Sequence, residues 1–154
     1  MQTQKITTFF WFDRQAEEAA QFYVSIFGGE SRVDSVDRAG GQVISVSFTL
    51  AGQRYVALNG NTRFTFNDSL SLLVSCADQA EVDRFWDRLL AGGGTPTQCG
   101  WLKDRFGLSW QVVPDGLMKA LRDPDPVKAG RVMKAFLAMK KIDLAALERA
   151  RKEG

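Results

Sequence analysis

Residues 6–30 read ITTFFWFDRQAEEAAQFYVSIFGGE. The first seven, ITTFFWF, are β-branched and aromatic, the composition of a strand. The period then changes: Ala16, Ala19, Ala20, Phe22, Tyr23, Ile26 and Phe27 recur at helical spacing. Asp13 is the expected N-cap of that helix. Gly28-Gly29 stops it, because glycine accepts the left-handed backbone that follows a helix C-terminus. Three more strands are expected: SRVDSV (31–36), QVISVSFTL (42–50) and QRYVALN (53–59). Ala39-Gly40-Gly41 and Ala51-Gly52-Gln53 mark the turns between them.

The same order returns in residues 69–94, SLSLLVSCADQAEVDRFWDRLLAGGG, a strand and a glycine-stopped helix. TPTQC (95–99) and GLSWQVV (107–113) then read as shorter strands. A shift of 63 residues places Phe22 on Phe85, Tyr23 on Trp86, Ile26 on Leu89, Phe27 on Leu90 and Gly29 on Gly92. It also places Ile6–Phe12 on Ser69–Ser75. One module of this size buries its sheet face only by packing on another, so the chain reads as two copies of a strand-helix-strands unit. The tail departs from the repeat. DPDP at 123–126 breaks and restarts the chain, and Val132, Ala135, Phe136 and Met139 form an apolar helical stripe. Asp143 is a second expected N-cap, and the stripe is expected to pack on its own domain or on a second subunit.

Composition removes several function classes. The chain has no histidine, so Ser-His-Asp and Cys-His mechanisms and histidine-held zinc are excluded. Cys76 and Cys99 form no CxxC pair and are expected as free thiols. Lys and Arg number 20 against 18 Asp and Glu, and no basic cluster alternates with aromatics, so no nucleic-acid partner is expected. No apolar run approaches the ~20 residues that cross a bilayer, so no membrane partner is expected. MQTQKITTFFWFD lacks the pattern of an export signal, and the expected location is cytoplasmic.

Three features carry a family resemblance: the stretch 6–30, YVALNG (55–60) and QCGWLKDRFGLSWQVVP (98–114). Together they resemble the PhnB-like branch of the vicinal oxygen chelate (glyoxalase/bleomycin-resistance) superfamily. Within it, the chain is similar to the group named 3-demethylubiquinone-9 3-methyltransferase, tail included. The resemblance implies an α+β fold in which two βαβββ modules form a cup-shaped mixed sheet, followed by C-terminal helices. It implies a glyoxalase-like domain over 1–122, with modules 1–60 and 68–114, and a helical extension over 123–154. It also implies a homodimer with a ligand cavity in the sheet. Active members of the superfamily hold a divalent metal on His, Glu or Gln side chains of the first and last strand of each module. Those positions carry over to Thr8 and Ser71 in the first strands, to Gln111 in the last strand, and to Val56, with Asn59 near it. Neutral hydroxyl and amide oxygens make a poor set for Zn, Ni or Fe. The expectation is therefore no metal and no cofactor.

The remaining pocket candidates come from the residues themselves. Thr8, Phe10 and Phe12 share one face of the first strand, and Thr7, Phe9 and Trp11 the other. Both faces are aromatic, so one is expected on helices and the other on an apolar ligand or second sheet. The linker NGNTRFTFNDS (59–69) brings Asn59, Arg63 and Phe66 as possible ligand contacts. Trp101, after Cys99-Gly100, suits a cavity mouth, whereas Trp110 belongs beneath the helix if Gln111 faces the cavity. The candidate pocket is Thr8, Phe10, Asn59, Phe66, Ser71, Trp101 and Gln111, for an unidentified small molecule. Methyl transfer on a Rossmann-type cofactor site needs a glycine-rich strand-to-helix turn, and the glycine runs at 28–29, 40–41 and 92–94 follow helices or sit in hairpins.

Overall fold

A computed structural model describes residues 4–153. The chain divides into two compact units, Met1–Thr65 and Phe66–Gly154. The first contains β1 (Thr8–Phe12), α1 (Ala16–Phe27), β2 (Arg32–Ala39), β3 (Gln42–Leu50) and β4 (Gln53–Asn59). The second contains β5 (Ser71–Cys76), α2 (Gln79–Leu90), β6 (Thr95–Pro96), β7 (Trp101–Lys103) and β8 (Ser109–Pro114). Three helices follow: α3 (Gly116–Leu121), α4 (Pro126–Ala138) and α5 (Leu144–Lys152). Both units are thus βαβββ modules of mixed α+β type, the second ending in helices.

Each module forms a four-stranded sheet, ordered β1-β4-β3-β2 in the first and β5-β8-β7-β6 in the second. In each, the first strand runs parallel to the last, and the remaining pairs are antiparallel. The parallel pair follows from the helix, which carries the chain back before the three-stranded meander begins. The expected strand at 95–99 shortens to Thr95–Pro96, because Pro96 donates no ladder hydrogen bond and Cys99 turns to a positive φ of 56°.

One face of each sheet is closed by its helix. In the first unit α1 turns Ala16, Ala19, Ala20, Tyr23 and Ile26 inward. A chain of rings runs from Tyr23 to Phe48, Tyr55 and Phe10, with centroids 6.3, 5.5 and 5.8 Å apart. In the second unit Val82, Phe85, Trp86 and Leu89 of α2 are buried, as are Val74, Cys76, Leu102, Trp110 and Val112 of the sheet.

The helix starts differ from one another. Asp78 caps α2, its carboxylate accepting from the Glu81 amide at 2.9 Å. Asp13 does not cap α1. That helix begins after Gln15, whose side chain makes no cap, and the Ala16 amide is instead satisfied by Asn59 Oδ1 at 2.8 Å. A residue at the end of β4 thus does what a local cap does elsewhere.

The tail belongs to the second unit. Leu117, Val132, Ile142 and Leu147 form its core, with Ala135, Phe136, Met139 and Val113 packed against them, so the apolar stripe of α4 packs on its own unit. Asp143 caps α5 as expected, and Asp125, within the DPDP restart, caps α4. The junction is a double clamp. Gln79 donates to the Ile142 carbonyl and accepts from the Leu144 amide, at 3.0 and 2.9 Å. The Cys99 and Gly100 amides donate to the Met139 and Lys140 carbonyls at 2.9 and 2.7 Å.

Candidate functional site

The face of each sheet opposite its helix carries the exposed strand side chains, and alternation along the strands decides which of them reach it. In the second sheet, cross-strand partners define two adjacent rows. Leu73, Gln111 and Trp101 form one, and Ser71, Ser109 and Lys103 the other. Gln111 Nε2 donates to Ser71 Oγ at 2.9 Å, linking the rows. Asp68 accepts from Ser109 Oγ at 2.8 Å and pairs with Lys103 Nζ at 3.2 Å. Those two contacts, the Ser109 hydrogen bond foremost, hold the Asp68 carboxyl below the usual carboxylate range. Leu73 stands 56% exposed on the edge strand β5 of this face.

Three candidates from the sequence, Ser71, Trp101 and Gln111, are therefore brought together. Trp110 lies buried on the helix side, as its place beside Gln111 requires. Phe66 is half-buried in the segment ahead of β5.

The first unit corrects the other candidates. Phe10 is 1% exposed and stacks on Tyr55 within the core under α1. Thr8, two residues earlier and opposite Tyr55, has the same parity. The open face carries Phe9 and Trp11, 57% and 44% exposed, opposite Val56 and Leu58. Ser47 and Ser45 continue those rows on β3. Val56 thus faces the open side while Thr8 faces the helix, so the two do not share a site.

The cause is one residue. Three residues, 13–15, join β1 to α1, and two, 77–78, join β5 to α2. The helices superpose at a shift of 63, but the buried pairs Phe10/Val74 and Phe12/Cys76 superpose at 64. A one-residue slip moves every strand side chain to the other face.

Asn59 also turns out to be structural. Besides accepting from the Ala16 amide it donates to the Val43 carbonyl at 3.2 Å. It borders an open cleft of about 760 Å³ with Asp13, Arg14, Arg38 and Asn61. The charges there are largely internal: Arg38 donates to both Glu17 oxygens at 2.8 and 2.9 Å, and Arg14 Nε to Asn61 Oδ1 at 3.3 Å.

A family model described as 3-demethylubiquinone-9 3-methyltransferase matches residues 4–113. The chain belongs to that family. Among solved structures it is similar to the PhnB protein of Bacillus cereus, with 35% identity, a TM-score of 0.67, and coverage of 72% of this chain and 99% of that one. The fosfomycin resistance protein FosX of Mesorhizobium loti shares the fold at 14% identity and a TM-score of 0.57, covering 80% of this chain and 100% of that one. A glyoxalase/bleomycin resistance protein of Albidiferax ferrireducens does so at 12% identity and a TM-score of 0.50, covering 70% and 95%. No curated protein matches.

The superfamily's metal positions in this PhnB-like chain can now be tested on the open faces. The first-strand positions there hold Phe9, Trp11, Ser71 and Leu73, and the last-strand positions hold Val56 and Gln111. One amide and one hydroxyl, hydrogen-bonded to each other, are the polar members. This donor set does not fit a divalent transition metal, which needs imidazole, thiolate or carboxylate. Among the described residues, no group of three or more Cys, Asp or Glu is gathered as a metal site. The family's methyltransferase label finds no cradle either. The β1–α1 connection is Asp13-Arg14-Gln15, the β5–α2 connection Ala77-Asp78, and among the described residues only Gly116 opens a helix after a strand, a six-residue one.

Proposed function

We propose that this PhnB-like protein binds a small organic molecule on the open faces of its sheets, without a tightly held metal, as a cytoplasmic homodimer. The observation that carries the reading is the Ser71–Gln111–Trp101 cluster. It sets two polar groups and an aromatic ring beside the exposed Leu73, and the superfamily resemblance marks Ser71 and Gln111 among its metal positions. A monomeric soluble domain that leaves Phe9, Trp11 and Leu73 unburied carries apolar surface whose cover lowers free energy. The free Cys76 and Cys99 thiols accord with a reducing compartment.

The test is elemental analysis of the untagged, dialysed protein together with native mass spectrometry. The expected result is a dimer with substoichiometric metal, carrying or accepting small organic mass. About one transition metal per chain surviving dialysis overturns the metal-free reading. A strictly monomeric species overturns the dimer.

A further inference from the structure

Resting on that small-molecule reading, we infer that the open face of the second sheet selects an uncharged planar ring whose edge bears both a hydrogen-bond donor and an acceptor, such as a lactam fused to an aromatic ring. The argument is one of charge, valence and shape. Lys103 is the one charged strand residue on the rows described, and Asp68 lies 3.2 Å from it. Ser109 holds Asp68 from the other side at 2.8 Å. Asp68 neutralises Lys103 at this exposed position, so an anion entering here competes with Asp68 for the one cation of these rows.

Polar groups remain, and they are complementary to each other. Gln111 Nε2 and Ser71 Oγ are 2.9 Å apart. With the amide donating, the Gln111 carbonyl oxygen still accepts and the Ser71 hydroxyl proton still donates. With the amide reversed, Ser71 donates to the carbonyl, and the Gln111 amino group and a Ser71 lone pair remain. Either way the pair presents at least one donor and one acceptor side by side. A ligand edge that matches only one of them leaves the other unsatisfied in a covered site.

The surroundings are flat and apolar. Trp101 and Leu73 flank Gln111 directly across β7 and β5. A ring lying on this row covers the indole and the exposed leucine while its edge meets the Gln111–Ser71 pair. The open face of the first sheet differs: Phe9 and Trp11 stand beside Ser47 and Ser45, and Ser45 donates to the Asp37 carboxylate at 2.9 Å, so a charge takes the place of the amide.

The experiment uses three probes on the full-length protein, followed by the Trp101 indole and Gln111 side-chain amide resonances. 2-Quinolone is planar and neutral with adjacent N–H and C=O groups. Quinoline-2-carboxylate has the same ring area with a negative charge. δ-Valerolactam keeps the polar edge without the aromatic plane. 2-Quinolone is expected to shift both resonances and to bind at least tenfold tighter than either other probe. Trp101→Leu and Gln111→Leu are each expected to weaken it at least fivefold. Carboxylate or valerolactam binding at equal or higher affinity on the same resonances overturns the inference alone, since a binding site then exists with other selectivity. Unchanged 2-quinolone affinity in both variants also overturns it. Failure of all three probes, together with no retained mass in native mass spectrometry, overturns both this inference and the small-molecule reading.

Discussion

The Trp110 indole donates to Asp104 Oδ2 at 2.8 Å, deep in the second unit. Asp104 is 3% exposed, and its other oxygen accepts from the Phe106 and Leu108 amides at 2.8 and 3.1 Å. One carboxylate thus closes the turn from β7 to β8 and anchors the largest side chain of that core. Burying a carboxylate is tolerable only with donors on it, and here there are at least three. Asp104→Ala leaves those donors unpaired, and the expected loss is about 3 kcal/mol or more, read from urea unfolding. Asp104→Asn keeps the acceptor for the turn amides and is expected to lose less. An Ala variant as stable as the parent overturns this account.

Gly60 makes room for Trp11. A Cβ built on Gly60 falls 1.6 Å from Trp11 Nε1, an impossible contact. Gly60→Ala therefore displaces the indole, which also lies 5.4 Å from the Phe64 ring. The expected cost is about 1–3 kcal/mol, the range for forcing extra atoms into an occupied space. The Trp11 indole N–H resonance is expected to move, while that of Trp110, in the other sheet, stays. An unmoved Trp11 signal means the indole does not rest on Gly60.

Most of the architecture was legible because periodicity is a property of the chain. The switch from strand to helical stripe and the glycine stop mark both modules, and the DPDP restart and Asp143 announce the tail helices. The site was legible in its second half. Gln111 was legible from its place on the last strand, whereas Ser71 and Trp101 join its face through the ladder register of β5 and β7, which pairs Leu73 and Trp101 with Gln111. Thr8 and Phe10 fall on the helix side because the β1–α1 connection is one residue longer than the β5–α2 connection, a difference that leaves no trace in the register of the helices. Asn59 shows a different limit. Its amide caps a helix 43 residues away in sequence, and a long-range cap has no local signature. Asp104 looks like an ordinary turn residue, and only the approach of Trp110 makes its burial intelligible.

Cys76 is expected to be chemically silent in the folded protein. Its side chain is buried in the core under α2, and burial pushes the thiol up to about 11. At pH 8 the thiolate, which is the reactive form, is then scarce as well as shielded. Iodoacetamide at that pH is expected to leave Cys76 unmodified until denaturant is added, with peptide mass spectrometry as the readout. Rapid native alkylation of Cys76 would show that β5 opens locally.

The last prediction concerns acid. Asp123, between α3 and α4, has a side chain 4% exposed and ion-paired with Arg151 of α5, and its other oxygen accepts from the Asp125 amide at 2.9 Å. The hydrogen bond from Arg151 is the main cause that lowers the Asp123 pKa below its ordinary 3.8. A carboxyl whose pKa is lower folded than unfolded binds fewer protons when folded. It therefore adds stability that is fully present above the unfolded value near 3.8 and is lost as pH falls through the lower folded value. Asp123→Asn removes that contribution. The variant is expected to melt below the parent at pH 7 and to converge with it at pH 2, with hydrogen exchange in α5 rising in the variant at neutral pH. A gap between the two melting temperatures that is the same at pH 7 and pH 2 would mean that the Asp123 charge contributes nothing, and that the tail is held by Ile142, Leu147 and the Gln79 clamp alone.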